Sequence, residues 1–183
     1  MTKKKEVKRE TDKEKNHNFS KQGKKNRAAG VRFEYKVRAD LEEKGWLVDK
    51  WMNNIDFEQG KVVIAKRKYN PYLRALSIGN GFPDFICFRK KERSSKNIDK
   101  EKNPDFEIIA IEVKKNGYLD KEEKKRCKWY LDEGIFPKIY IAICRRGKKD
   151  KRQTFIEYED FENIYLDKNR EIVKKKPRKP KKD

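Results

Sequence analysis

Apolar positions gather into a few short runs separated by long charged stretches, and the period of each run predicts its element. Two runs dominate. Gly79-Asn80-Gly81-Phe82-Pro83-Asp84-Phe85-Ile86-Cys87-Phe88 and Phe106-Glu107-Ile108-Ile109-Ala110-Ile111-Glu112-Val113-Lys114 each contain a segment apolar on both faces, which predicts two buried strands. Lys91 to Asp105 between them is rich in Lys, Ser, Asn and Asp, a solvated loop, so the strands are predicted to pair antiparallel. That pairing lays Asp84 beside Glu112 and Lys114, and side-chain alternation turns Glu112 and Lys114 to the same side.

The flanking elements follow from the same patterns. Gly30 opens a helix to about Lys44, with Phe33, Val37 and Leu41 as its buried stripe and Gly45 past its end. Trp46–Trp51 and Lys61–Lys66 read as strands with Met52–Gly60 as the turn between them. Asp120-x-x-Glu123 has the form of a capping box, so a helix starts there, with Cys127, Tyr130 and Leu131 on its buried face. Pro137 to Cys144 is a third buried strand, which a helical crossover makes parallel to the Glu112 strand. Thr154 to Leu166 reads as a strand, then a short helix. The expected class is α/β: an αβββαβ core with a mixed central β-sheet flanked by helices. Residues 1–29 and 171–183 hold almost no apolar side chains and are predicted to be basic tails, the first disordered, around one domain at 30–170.

Composition narrows the partner. Lys and Arg number 51 against 31 Asp and Glu, a net charge of +20, which points to nucleic acid or an anionic membrane. No basic helix with a clean apolar face stands out, so nucleic acid is favoured over membrane. The three cysteines are far apart; Cys87 and Cys144 lie in apolar strands as small core hydrophobes, which suggests a reducing compartment and no zinc site. The only histidine, His17, sits in the charged N-terminal stretch, which argues against His-metal, Ser-His and histidine general-base chemistry. No apolar run reaches a membrane span or forms a signal core, so a cytoplasmic, nucleoid-associated location is expected.

Charge at the end of a buried strand needs compensation. Either Lys114 forms a salt bridge with Glu112 or Asp84, or the carboxylates hold a metal. Paired carboxylate oxygens suit Mg²⁺, with Mn²⁺ as a substitute. Pro83-Asp84 followed by Glu112-Val113-Lys114 resembles the motif of the PD-(D/E)XK nuclease superfamily, and within it the archaeal Holliday junction resolvases and VRR-NUC nucleases, over roughly Gly30 to Cys144. Glu-x-Lys also begins at Glu6, Glu42, Glu122 and Glu123, but only the copy at Glu112 ends an apolar strand. Asp105, in a second Pro-Asp-Phe, lies about 20 Å along the strand from Glu112, too far to share an ion with it.

The resemblance implies a restriction-endonuclease-like core and Mg²⁺-dependent hydrolysis of DNA. It implies a metal site of Asp84, Glu112, the Val113 carbonyl and Glu34, and a catalytic set of Glu34, Asp84, Glu112 and Lys114, with Lys114 orienting the attacking water. It also implies duplex or branched DNA as substrate, a homodimer, and a place in recombination or repair. Gly30 and Glu34 match a Gly-x-x-x-Glu setting of the family's first helix, although Glu34 is also spaced to pair with Arg38 on a solvated face. Glu123 stands where the family often has Gln or Lys; its capping role accounts for it, and Lys121, Lys124 and Lys128 are candidates for the missing cation. Lys66, Arg67, Lys68, Tyr69 and Arg74 interleave basic and aromatic residues just before Pro83-Asp84, and with Lys115, Lys121 and Lys124 form the expected DNA-facing set. Two other readings fit: a catalytically inactive nuclease-fold DNA-binding module, and a basic RNA-binding protein in which Glu112 and Lys114 form a structural salt bridge.

Overall fold

The computed structural model describes residues 2–66, 69–70, 74–76, 81–91, 105–147, 150 and 153–173. Arg67, Lys68, most of the loop at 91–105 and the tail from 174 lie outside the described residues. The chain divides into two units, Met1–Lys36 and Val37–Asp183.

The first unit is the N-terminal part of a helix, α1 (Thr2–Glu43), whose residues 37–43 belong to the second. The helix starts at Thr2 rather than at Gly30. The residues responsible are Lys, Glu, Gln and Arg, which lose little rotamer freedom in a helix, and no proline interrupts them.

The second unit continues through β1 (Leu47–Lys50), β2 (Asn53–Asp56), β3 (Lys61–Ile64), β4 (Tyr69–Asn70), β5 (Ala75–Leu76), β6 (Phe85–Lys90) and β7 (Phe106–Val113). It ends with α2 (Lys121–Asp132), β8 (Ile139–Arg146), β9 (Thr154–Asp160) and α3 (Phe161–Tyr165). Five strands form a mixed sheet in the order β1-β6-β7-β8-β9. The β6–β7 hairpin is antiparallel with Phe85 opposite Ile111, and β8 runs parallel to β7 with Ile139 opposite Ala110. The expected α/β class with a mixed central sheet flanked by helices is present, with β2–β5 forming two separate two-stranded sheets between β1 and β6.

Alternation along the strands gives each face its own cover. Residues 37–43 of α1 cover the face that buries Val48, Cys87 and Ile109; Val37 and Leu41 are buried there, and Tyr158 Oη donates to Asp40 Oδ2 at 2.6 Å. On the other face, Cys127 and Tyr130 of α2 and Phe161 and Tyr165 of α3 join Ala110, Ile139, Ile141 and Ile143 in one apolar cluster. Among the described residues no helix is long and apolar enough to cross a membrane.

Met52–Gly60 is not simply a turn. Asn53–Asp56 pairs antiparallel with Lys61–Ile64 in a two-stranded sheet separate from the central one. Asn and Asp are depleted in strands, so the local pattern hid β2; pairing with Val62 and Val63 overrides that preference.

Gly81 sets the approach to β6. A Cβ built there would lie 2.1 Å from the Trp51 carbonyl oxygen and 2.7 Å from the Asn53 nitrogen, both backbone atoms. On either side, Trp51 N donates to Asp84 O (3.1 Å) and Phe82 N donates to Asn53 O (2.9 Å). Backbone cannot yield as a flexible side chain can, so Gly81→Ala is expected to destabilise the fold by about 1–3 kcal/mol, the usual range for overpacking, and to displace Asp84. Chemical denaturation measures this; an unchanged midpoint would show that the two segments part without cost.

Candidate active site

The hairpin register carries Asp84 and Glu112 to the same end of the sheet. Phe85 opposes Ile111, so the next residues outward, Asp84 and Glu112, are neighbours across the strands. Asp84 Oδ2 accepts a hydrogen bond from Val113 N at 2.9 Å, which fixes its carboxylate against the β7 backbone. Glu112 shares a face with Ala110 and is only 4% exposed. Lys114 Nζ lies 3.2 Å from Glu112 Oε1 and donates to Glu123 Oε1 at 2.5 Å.

Glu123 therefore does two things. Its Oε2 accepts from Asp120 N at 2.9 Å while Asp120 Oδ1 accepts from Glu123 N at 2.8 Å, which completes the capping box, and its other oxygen holds Lys114. The capping signature located Glu123 at the start of α2 but did not indicate its second partner, which depends on how α2 docks on β7.

The electrostatics follow from this grouping. Glu112 and Glu123 bring two carboxyl groups to one ammonium, and Asp84 adds its charge beside Glu112. Burial, reinforced by the Asp84 charge and only partly offset by Lys114, pushes Glu112 up to about 8. Burial pulls the Lys114 ammonium down, but Glu112 and Glu123 outweigh it and hold Lys114 above the ordinary lysine range. The cluster thus keeps Lys114 charged and disfavours ionisation of Glu112. Excess negative potential is stored at the most buried carboxyl, and either a proton or a cation satisfies it.

The expected salt bridge and the expected cluster are thus both present, since Lys114 pairs with Glu112 inside the group of carboxylates. The oxygens of Asp84 and Glu112 are hard donors of the kind Mg²⁺ prefers. Among the described residues no group of three or more His, Cys, Asp or Glu side chains could hold a metal ion.

The remaining residues fall as follows. Glu34 is half-buried on α1 within the first unit, whereas Asp84, Glu112 and Lys114 belong to the second. Arg38 pairs with Glu42 at 2.8 Å. Lys66, Tyr69, Arg74, Lys115 and Lys121 are exposed. Lys124 lies over the Tyr165 ring, 4.9 Å from its centre, and Lys128 pairs with Asp132, so of the three candidates for an extra cation these two have partners elsewhere. No family model, no curated protein and no solved structure was found to match this chain.

Proposed function

We propose that the chain is a Mg²⁺-dependent endodeoxyribonuclease of the PD-(D/E)XK type with a restriction-endonuclease-like core, acting on branched DNA as Holliday junction resolvases do. The observation that supports this most is the convergence of Asp84, Glu112 and Lys114 at the end of the β6–β7 hairpin, with Glu112 raised to about 8 by burial and by Asp84. On this reading Asp84 and Glu112 hold the cation, with the Val113 carbonyl as a further ligand. When bound, the ion supplies charge stabilisation at the phosphoryl group under attack. Lys114 orients the attacking water and stabilises negative charge on phosphoryl oxygens, and Glu123 keeps its ammonium charged and in place. Exposed Lys66, Lys115 and Lys121 meet phosphates, which position DNA without reading its sequence.

Incubation with linear, flap and four-way DNAs, with Mg²⁺ and with chelator, tests this. Mg²⁺-dependent cleavage that prefers branched substrates is expected; no cleavage of any substrate with Mg²⁺ or Mn²⁺ would overturn it. Below about pH 8 a cation ligating Glu112 must displace its proton. Mg²⁺ affinity is therefore expected to rise by up to tenfold per pH unit up to that point and then to level off. Calorimetry in buffers of different ionisation enthalpy counts the proton released, and a flat affinity from pH 6 to 9 would remove Glu112 from the ligand set.

The Lys114–Glu112 ion pair also favours a second reading, a nucleic-acid-binding module in which the cluster is structural. That reading gains if DNA binds tightly and Mg²⁺ changes nothing.

A further inference from the structure

The loop from Lys114 to Asp120, between β7 and α2, is fixed along its whole length yet presents one aromatic ring to solvent. Gly117 N donates to Lys114 O (2.7 Å), and Cys144 N donates to Lys115 O (3.2 Å). Tyr118 N donates to Asn116 Oδ1 (3.1 Å), and the buried Tyr165 Oη donates to Gly117 O (3.1 Å). Gly117 has φ +69°, and a Cβ there would meet Ile143 Cδ1 at 2.7 Å, so the backbone sits directly on the core. Leu119 is fully buried. Both ends of the loop meet on one carboxylate, since Glu123 holds Lys114 through Oε1 and Asp120 N through Oε2.

Between buried Gly117 and buried Leu119, Tyr118 is 67% exposed, with exposed Lys115, Asn116 and Lys121 around it in sequence. A single exposed aromatic residue is ordinary on a protein surface. This one is held on a rigid backbone, four residues from the lysine of the catalytic cluster, among cations that attract phosphate. A tyrosine has few rotors to immobilise, so stacking on it costs little conformational entropy.

We infer that Tyr118 is a stacking platform for an unpaired DNA base beside the scissile phosphate, and that it makes the site selective for DNA with splayed or single-stranded nucleotides. A continuous duplex offers no free base face there; a flap or junction does. The inference rests on the nuclease reading for the meaning of the neighbouring phosphate, and its test does not depend on cleavage.

In chelator, so that nothing is cut, binding of the full chain to a flap DNA and to a paired duplex of equal length is compared for the parent, Tyr118→Phe and Tyr118→Ala. The flap carries 2-aminopurine at its first unpaired position, whose fluorescence is quenched by stacking. The parent and Tyr118→Phe are expected to prefer the flap and to quench the probe. Tyr118→Ala is expected to lose about tenfold of that preference, within the range for one stacked base, together with the quenching. Undiminished preference and quenching in Tyr118→Ala overturn the inference. Failure of the parent to bind either DNA overturns it together with the nuclease reading. Flap preference that depends on Tyr118, in a protein that Mg²⁺ does not activate, supports the platform and removes only the nuclease.

Discussion

Glu112→Gln is expected to reduce Mg²⁺-dependent cleavage by roughly 10²–10³-fold or more, the scale for losing one electrostatic group of a catalytic site, while raising the thermal stability of the metal-free protein at alkaline pH. The two effects share one cause. Glu112 is raised from 4.5 to about 8 in the fold, so between those values the folded chain holds a proton that the unfolded chain releases. Stability that is fully present below about pH 4.5 therefore falls as pH rises, by about 1.4 kcal/mol per unit, and levels off once Glu112 has ionised in the fold. Glutamine carries no charge to penalise, so the melting-temperature gap between variant and parent should open from about pH 5 and be complete above pH 8. A gap of constant size across that range would mean that Glu112 is not raised. Undiminished cleavage would mean that Glu112 does not hold the ion.

The central hairpin was legible because its strands are apolar on both faces and the segment between them is polar throughout. From Phe85 opposite Ile111 the meeting of Asp84 with Glu112 follows by geometry alone. The start of α2 was legible for a similarly local reason, since the Asp120 and Glu123 capping box needs only one turn of chain. What escaped the sequence depends on distant partners. β2 forms only because β3 offers it a strand, and its Asn and Asp residues give no local sign of that. The grip of Glu123 on Lys114 is invisible at the level of motifs, because a capping glutamate already has an explanation and nothing in the pattern shows that its second oxygen faces β7. The start of α1 at Thr2 escaped for another reason: apolar periodicity begins only near Gly30, while intrinsic helix propensity is high well before it.

Lys114→Arg separates the two ways in which Lys114 can serve the reaction, and a loss of roughly 10–100-fold is expected. The ammonium sits 3.2 Å from Glu112 and 2.5 Å from Glu123 in a partly buried position that suits a compact point charge. A guanidinium keeps the charge but is larger and planar, so it cannot occupy that place without moving the carboxylates it pairs with. Because the surrounding carboxylates hold Lys114 above the ordinary lysine range, it stays charged through neutral pH and is poorly suited to accept a proton. On the proposed reading its contribution is therefore to fix the water and to neutralise charge, with proton uptake falling elsewhere. The pH profile of single-turnover cleavage at sub-saturating Mg²⁺ tests this directly. The rise toward pH 8 belongs to Glu112 and should persist in Lys114→Arg at lower amplitude, whereas Lys114→Ala, lacking the charge altogether, should fall further still. If the rising limb disappears in the arginine variant, Lys114 is the group that titrates and acts as the base. If the arginine variant keeps full activity, neither the size nor the precise seat of the cation matters, and Lys114 is only a counter-charge for its carboxylates.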